Sequence, residues 1–242
     1  MGTVVRGERR PFGPICNDIG GLATLHCQIG GKGVSRWKML MNGMHLEGPW
    51  NCVEYVVLEP GGSVGEHVHV RTEEIYYIIS GRADVTMNGR EMSCVAGDLV
   101  TTPIGASHAI ANSSAEDMCF FVVEVFPGEG PAAAPAHIHV PALRTAGRNG
   151  ASIDVDLTPH FTGGWRRFRL FDLAARECDD SVSPSVTEVL HVIAGSAAIT
   201  VGGEQYAGAA GLSVAVPPGT ARKVENAGPD RLQLIATEVA PA

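Results

Sequence analysis

The sequence predicts an all-β protein made of two copies of one β-domain. Three observations carry that prediction. Apolar residues recur with period two in runs of five to eight residues, no stretch of helical periodicity of comparable length competes with them, and the second half of the chain repeats the first. The runs are Val53–Leu58, Ile75–Ile79, Ala83–Met87, Cys119–Phe126, Phe168–Leu173, Val189–Ile193 and Leu232–Val239. Each has the length and alternation of a strand that turns one face to a core, and Gly, Pro and Asn punctuate the intervals. The repeat appears when the chain is slid along itself by 114 residues: Glu74–Asn112 then overlies Glu188–Asn226 without a gap, and twelve of 39 positions coincide. Most of the coincident residues form turns, among them Gly81/Gly195, Gly97/Gly211, Pro103/Pro217 and Gly105/Gly219.

Between Pro127 and Gly150 the alternation lapses into a Pro-, Ala- and Gly-rich stretch with the stiffness of a connector. The predicted organisation is therefore an N-terminal domain over residues 1–130, a connector over 131–150 and a C-terminal domain over 151–242. At 242 residues, 45% hydrophobic and 18% charged, the chain can bury a core and is not of disordered composition. A net charge of −8 with 18 Lys and Arg spread along the chain leaves no basic stripe for phosphates, so nucleic acid is not an expected partner. Residues 1–14 carry charge without an apolar export segment, and the longest apolar run is far too short to cross a bilayer, so the expectation is a soluble, cytoplasmic protein without a membrane partner. The six cysteines form no C-x-x-C pair and are read as buried, reduced thiols.

His67 and His69 stand two apart among strand formers, so both imidazoles leave one face and can chelate one ion. Glu74 opens the next apolar run, and His108 follows the turn Pro103–Gly105, so both can return to the same interior. Three imidazoles and a carboxylate suit a divalent first-row ion with open coordination positions. At these residues the chain resembles the cupins. Their first motif, G(X)5HXH(X)3–4E(X)6G, is met by Gly61, His67, His69, Glu74 and Gly81, and their second, G(X)5PXG(X)2H(X)3N, by Gly97, Pro103, Gly105, His108 and Asn112. With the repeat, the resemblance covers most of the chain and is that of a bicupin, which implies two jelly-roll β-barrels with the metal in the first. It also implies a metalloenzyme without choosing the reaction.

The second copy departs from the pattern at the ligands. Ser181 and Ser183 stand opposite His67 and His69, Arg222 stands opposite His108, and Glu188 alone is kept, so the second barrel is expected to be metal-free with an Arg222–Glu188 ion pair inside it. His137 and His139 form another H-x-H, but no carboxylate follows within ten residues and the context is the connector, so they are set aside. Glu73, Tyr76 and Arg71 are the candidate catalytic residues: Glu73 and Tyr76 as proton shuttles, and Arg71, by parity with His69, as a clamp at the barrel mouth. The leading functional expectation is a non-haem Fe(II) oxygenase of the dioxygenase type, an oxidoreductase using O2 on a small substrate that chelates through oxygen. Its alternatives are a redox-neutral isomerase, cyclase or decarboxylase using Mn, Ni, Co or Zn, and a metal-dependent small-molecule binding protein. A homodimer is the expected assembly.

Overall fold

A computed structural model of the chain describes residues 13–143, 152–183 and 185–241. The described residues contain short 3₁₀ turns, no α-helix, and these strands: β1 (Ile15–Asn17), β2 (Ala23–His26), β3 (Val34–Asn42), β4 (Trp50–Leu58), β5 (Ser63–Val68), β6 (Glu73–Ser80), β7 (Arg82–Met87), β8 (Arg90–Val95), β9 (Asp98–Thr102), β10 (Ser107–Ala111), β11 (Met118–Val125), β12 (Ala136–His139), β13 (Ile153–Asp156), β14 (Trp165–Leu173), β15 (Cys178–Val182), β16 (Thr187–Ala194), β17 (Ser196–Val201), β18 (Glu204–Ala209), β19 (Ser213–Val216), β20 (Ala221–Asn226) and β21 (Leu232–Val239). Among the described residues no helix is long and apolar enough to cross a membrane.

Each half is a jelly-roll barrel of one large and one small antiparallel sheet. The first pairs the sheet β12-β9-β6-β11-β4-β3-β2 with β5-β10-β7-β8, and the second pairs β1-β19-β16-β21-β14-β13 with β15-β20-β17-β18. Two strands cross the expected domain limits. β1 hydrogen-bonds to β19 of the second barrel, and β12, which lies in the expected connector, hydrogen-bonds to β9 of the first. The physical reason is the same for both: β9 and β19 would otherwise leave their large sheets with unpaired edges. Residues 144–150 of the connector lie outside the described residues.

Three cores hold the molecule together. One fills the first barrel, with Val56, Ile78, Val100, Ile110 and Phe120; one fills the second, with Phe171, Leu190, Ile199, Val214 and Leu234. The third and largest lies between the barrels, where the outer faces of the two large sheets pack together through Val53, Ile75, Tyr77, Phe121, Trp165, Phe168 and Ile235. The central strands are thus apolar on both faces. Parity decides which core a residue serves: on β6, Tyr76 and Ile78 enter the first barrel, whereas Ile75 and Tyr77 enter the seam. The cysteines follow placement in the same way: Cys52 and Cys94 are buried as expected, but Cys16, Cys27 and Cys178 are exposed on edge strands and a loop.

Glu73 shares the parity of Ile75, so it faces the seam and not the barrel interior. It is fully buried, and its carboxylate accepts four hydrogen bonds from the start of β14 and the segment ahead of it: from Thr162 N and Oγ1 at 2.7 Å each, Gly163 N at 2.9 Å and Trp165 Nε1 at 3.1 Å. Gly163 permits the approach, since a Cβ there would sit 2.9 Å from Glu73 Oε2 and 2.6 Å from Phe126 O. The catalytic assignment of Glu73 is therefore corrected: it latches one barrel to the other. Glu73→Ala would strand these donors and should lower the unfolding free energy by about 2–4 kcal/mol. Urea unfolding reads this directly; a loss below about 0.5 kcal/mol would show that the seam does not need the latch.

His191 is also in the seam, 1% exposed, with Nδ1 2.8 Å from Ser213 Oγ and its ring centroid 4.7 Å from that of Phe121 and 5.8 Å from that of Tyr55. Burial lowers its imidazole from 6.5 to about 3. The unfolded chain takes up that proton first, so the stability His191 confers is complete above pH 6.5 and is lost as pH falls towards 3. Between pH 7 and pH 4 the native protein should lose about 3 kcal/mol more than His191→Gln, measured as the difference between their urea-unfolding free energies at the two pH values.

Candidate metal centre

The two sheets of the first barrel deliver the four candidate ligands to one point. His67, near the end of β5, lies directly opposite His108 of β10. His69 falls just past β5 and is fixed by backbone bonds on both sides, from its own N to Ala106 O (2.9 Å) and from Gly105 N to its O (2.7 Å). The turn Pro103–Gly105 thus places His69 as well as His108. Glu74 comes from β6 in the facing sheet, where Thr102 is its register partner. His69, Glu74 and His108 are each at most 5% exposed.

The donor atoms converge. His108 Nε2 is 3.0 Å from His69 Nε2, 3.2 Å from His67 Nε2 and 3.0 Å from Glu74 Oε2, and His69 Nε2 is 3.4 Å from the same oxygen. Donors in cis positions around an ion with bonds of about 2.1 Å lie about 3 Å apart, which is this spacing. The opposite ring nitrogens explain why the cluster needs a cation. His67 Nδ1 contacts Gly65 O at 2.9 Å and His69 Nδ1 contacts Thr72 O at 3.1 Å, and a carbonyl can only accept. Both Nδ1 atoms therefore carry the proton, and both Nε2 atoms present lone pairs to the centre. His108 Nδ1 pairs with Thr102 Oγ1 at 2.9 Å. Glu74 Oε2 is buried with no aligned hydrogen-bond donor. Converging lone pairs and a buried carboxylate repel one another unless a positive charge sits among them, so the residues fit a divalent ion. Burial would raise the Glu74 carboxyl, but His108 and His69 bring it down to about 2, and His69, depressed by burial, is raised overall by Glu74.

Beside the cluster is a cavity of about 50 Å³ whose wall includes His67, Glu74, Tyr76, Glu54 and Glu124, with Val56, Phe120 and Val122 as its apolar part. Tyr76 has its ring stacked on His108 (4.6 Å between centroids) and its hydroxyl 3.2 Å from His108 Nε2. Burial, reinforced by Glu74, pushes its phenol far above 10, so it is a neutral group. Glu54 of β4 and Glu124 of β11 were not anticipated. Burial, with Glu124 and Glu74 nearby, pushes the Glu54 carboxyl up to about 7 against hydrogen bonds from Trp37 and Cys52, the latter from Sγ at 3.4 Å. Burial raises Glu124 too, although Asn51 Nδ2 donates to it at 2.6 Å. The signal for both was present: on β4 and β11 each has the parity of the inward Val56 and Val122, so each interrupts an apolar row that enters the barrel.

Arg71 is the other correction. β5 ends at Val68, so the parity with His69 lapses, and Arg71 is an exposed residue of the bend that follows. In the second barrel Ser181 lies opposite Arg222 in the register of His67 and His108. Arg222 is 4% exposed; its Nε donates to Glu188 Oε2 at 2.8 Å and its Nη2 to Oε1 at 3.1 Å, and Nη1 also pairs with Asp179. The expected ion pair thus fills the place of the ion.

The cupin domain family matches residues 54–124 and again residues 178–238, together more than half of the chain. The chain is 35% identical over 94 residues to the oxalate-binding protein of Thermotoga maritima, a match covering 39% of this chain and 78% of that protein. In three dimensions it is similar to the protein Ylba of E. coli (TM-score 0.73, 14% identity, 97% of this chain and 94% of the other). It is also similar to an oxalate decarboxylase of Bacillus subtilis with Mn(II) centres (TM-score 0.68, 19% identity, 93% of this chain and 77% of the other). At these identities the structural likenesses establish the fold.

Thr102→Val removes the partner of His108 Nδ1 and should weaken Mn(II) binding by about 10–100-fold, with a larger loss in His108→Ala. Titration of metal-stripped protein, reading free Mn(II) by EPR, measures both; an unchanged affinity in Thr102→Val would mean that the hydroxyl does not orient the ring.

Proposed function

This chain belongs to the cupin domain family, and from that premise we propose that its first barrel is a metal-dependent enzyme acting on a small oxygen-chelating organic acid by overall redox-neutral acid–base chemistry, of the decarboxylase, isomerase or cyclase kind. The observation that carries the reading is that the protonatable carboxyl of Glu54 shares a cavity of about 50 Å³ with His67 and Glu74, two members of the four-donor cluster. His67, His69, Glu74 and His108 would hold one divalent ion, Mn(II) or Fe(II) before Ni, Co or Zn. Such an ion supplies Lewis-acid polarisation of the chelating oxygens and, with a single carboxylate ligand, a net positive charge that favours an anionic substrate.

The remaining roles belong to the chain. The Glu54 carboxyl, which Trp37 and Cys52 hold by hydrogen bonds, would carry a proton at the cavity wall and release it to the substrate. Tyr76, neutral and with its hydroxyl 3.2 Å from His108 Nε2, lines the same space and would offer a donor there. Val56, Phe120 and Val122 exclude water from the opposite side. The volume admits a substrate of a few heavy atoms, the size of oxalate, the acid for which the Thermotoga maritima and Bacillus subtilis proteins are named.

The Fe(II) oxygenase expected from the ligand set is the second reading, favoured by the three-His, one-Glu donors and by the apolar wall beside them. The two differ in oxygen stoichiometry. Full-length protein stripped of metal, reloaded with Mn(II), Fe(II) or Zn(II) and assayed with oxalate and other small carboxylic acids should consume substrate without net O2 uptake. In Glu54→Gln, metal content should be unchanged and kcat should fall by about 100-fold or more. Uptake of one O2 per substrate, with Fe(II) alone active, selects the oxygenase; tight oxalate binding without turnover selects a binding protein.

A further inference from the structure

At the edge of the first barrel, four side chains that the proposed reaction does not use come together. β12 adds to β9 with His139 opposite Asp98 and His137 opposite Val100. His137 Nε2 lies 3.1 Å from Asp98 Oδ2, and His139 Nδ1 lies 2.7 Å from Asp98 Oδ1. The sequence pattern set these histidines aside because no carboxylate follows them. Their carboxylate precedes them by a long stretch of chain, and only the strand pairing brings it back. Asp98 is 2% exposed. Cys94 of the neighbouring β8 is fully buried, and its Sγ lies within 4.8 Å of the ligand atoms of both Asp98 and His137. Among the described residues that sulfur makes no hydrogen bond. Gly97 (φ +94°) lets the segment after β12 close over the cluster, since a Cβ there would meet Pro141 Cγ at 2.7 Å.

We propose that Cys94, Asp98 and His137 form a second metal site, for a borderline-soft divalent ion of the zinc class, with His139 holding the Asp98 carboxylate by its other oxygen. The ligand chemistry separates the two sites. A sulfur, a nitrogen and an oxygen donor in a three-ligand set suit Zn(II) or Co(II), whereas the interior centre has no sulfur. The 3.1 Å spacing of Asp98 and His137 is close to the edge of a tetrahedron with bonds of about 2.0 Å. His137 keeps a side-chain exposure of 32%, which gives the ion a way in and leaves room for water as a further ligand. Two His–Asp hydrogen bonds alone would hold β12 on β9 with no need of a thiol, so the sulfur is the discriminating atom. Bound there, the ion would staple β8, β9 and β12, fastening the strand that closes the sheet edge.

Cobalt reads the sulfur directly. Metal-stripped full-length protein titrated with Co(II) should bind two ions per chain, and one of them should develop a thiolate-to-cobalt charge-transfer band in the near ultraviolet, to which the interior centre cannot contribute. Cys94→Ser should abolish that band while the visible d–d absorption of the interior centre persists. His137→Ala, a change at an accessible position that keeps the core intact, should weaken Co(II) binding at this site at least tenfold. In the paired variant His67→Ala/His108→Ala the band should remain, and Zn(II) should still raise Tm. Absence of the band in saturated native protein, or its survival in Cys94→Ser, overturns the proposal.

Discussion

Burial of β6 on both faces obliges each of its residues to serve either the barrel interior or the seam between barrels, and a charged residue on either face must find partners within its own compartment. Glu73 and Glu74 are neighbours in sequence that leave the strand in opposite directions. Glu74 meets imidazoles and demands a cation; Glu73 meets only neutral donors and is satisfied by four of them. A one-residue slip of β6 would exchange them, putting a carboxylate without donors into the seam and removing the ligand from the site. The hydrophobic pattern that fixes the register of β6 between β9 and β11 is therefore also what makes the site.

The seam has a pseudo-twofold logic, broken where the two halves differ. Thr187 occupies in β16 the place that Glu73 occupies in β6, and its hydroxyl donates to Glu47 O in the segment ahead of β4. Each barrel thus reaches across to the segment that leads into β14 or β4 of the other. A hydroxyl offers less than a carboxylate: Trp50, at the head of β4 as Trp165 is at the head of β14, is left with an indole N–H that finds no partner among the described residues. The seam is more strongly tied on the Glu73 side.

Much of this was legible in the sequence, and what was not has a physical explanation. The period-two runs, the turn residues and the repeat report backbone requirements that both halves share, which is why Asn112 and Asn226 are kept: each donates to two carbonyls, Leu58 and Glu116 in one barrel and Leu173 and Asp230 in the other. The spacing of His67, His69, Glu74 and His108 reports a local geometry of two strands and a turn. Long-range pairing leaves no such trace. Nothing local in β12 says that it will lie on β9, so the histidines of the expected connector could not be matched with Asp98, and nothing local says that the outer face of β6 will be covered by β14, so Glu73 read as a candidate proton shuttle beside the ligands. Arg71 failed for a smaller reason, because parity holds only while the strand does.

The two barrels then solve one electrostatic problem in different ways. In the first, Glu74 and Glu124 are direct register partners on adjacent strands, and Glu54 is the register partner of Val122, the next inward position of β11 from Glu124. Three carboxyls so placed cannot all be ionised in a low-dielectric interior without a compensating charge, and the raised carboxyls of Glu54 and Glu124 express that conflict. The second barrel keeps the register pair as Glu188 and Glu238. There Arg222 pairs with Glu188, Arg167 pairs with Glu238, and Arg169 joins Arg222 on Asp179. Guanidinium groups supply fixed positive charge that neither dissociates nor titrates near neutrality. In the first barrel, among the described residues, the glutamates are met by no guanidinium pair but by imidazoles whose geometry fits a divalent ion, and by the carboxyl of Glu54, which burial makes protonatable near neutrality. The glutamate pair that both halves keep is thus met by fixed guanidinium charge in the second barrel and by imidazoles and further carboxyls in the first, so the two interiors differ in whether their charge balance is permanent or open to exchange.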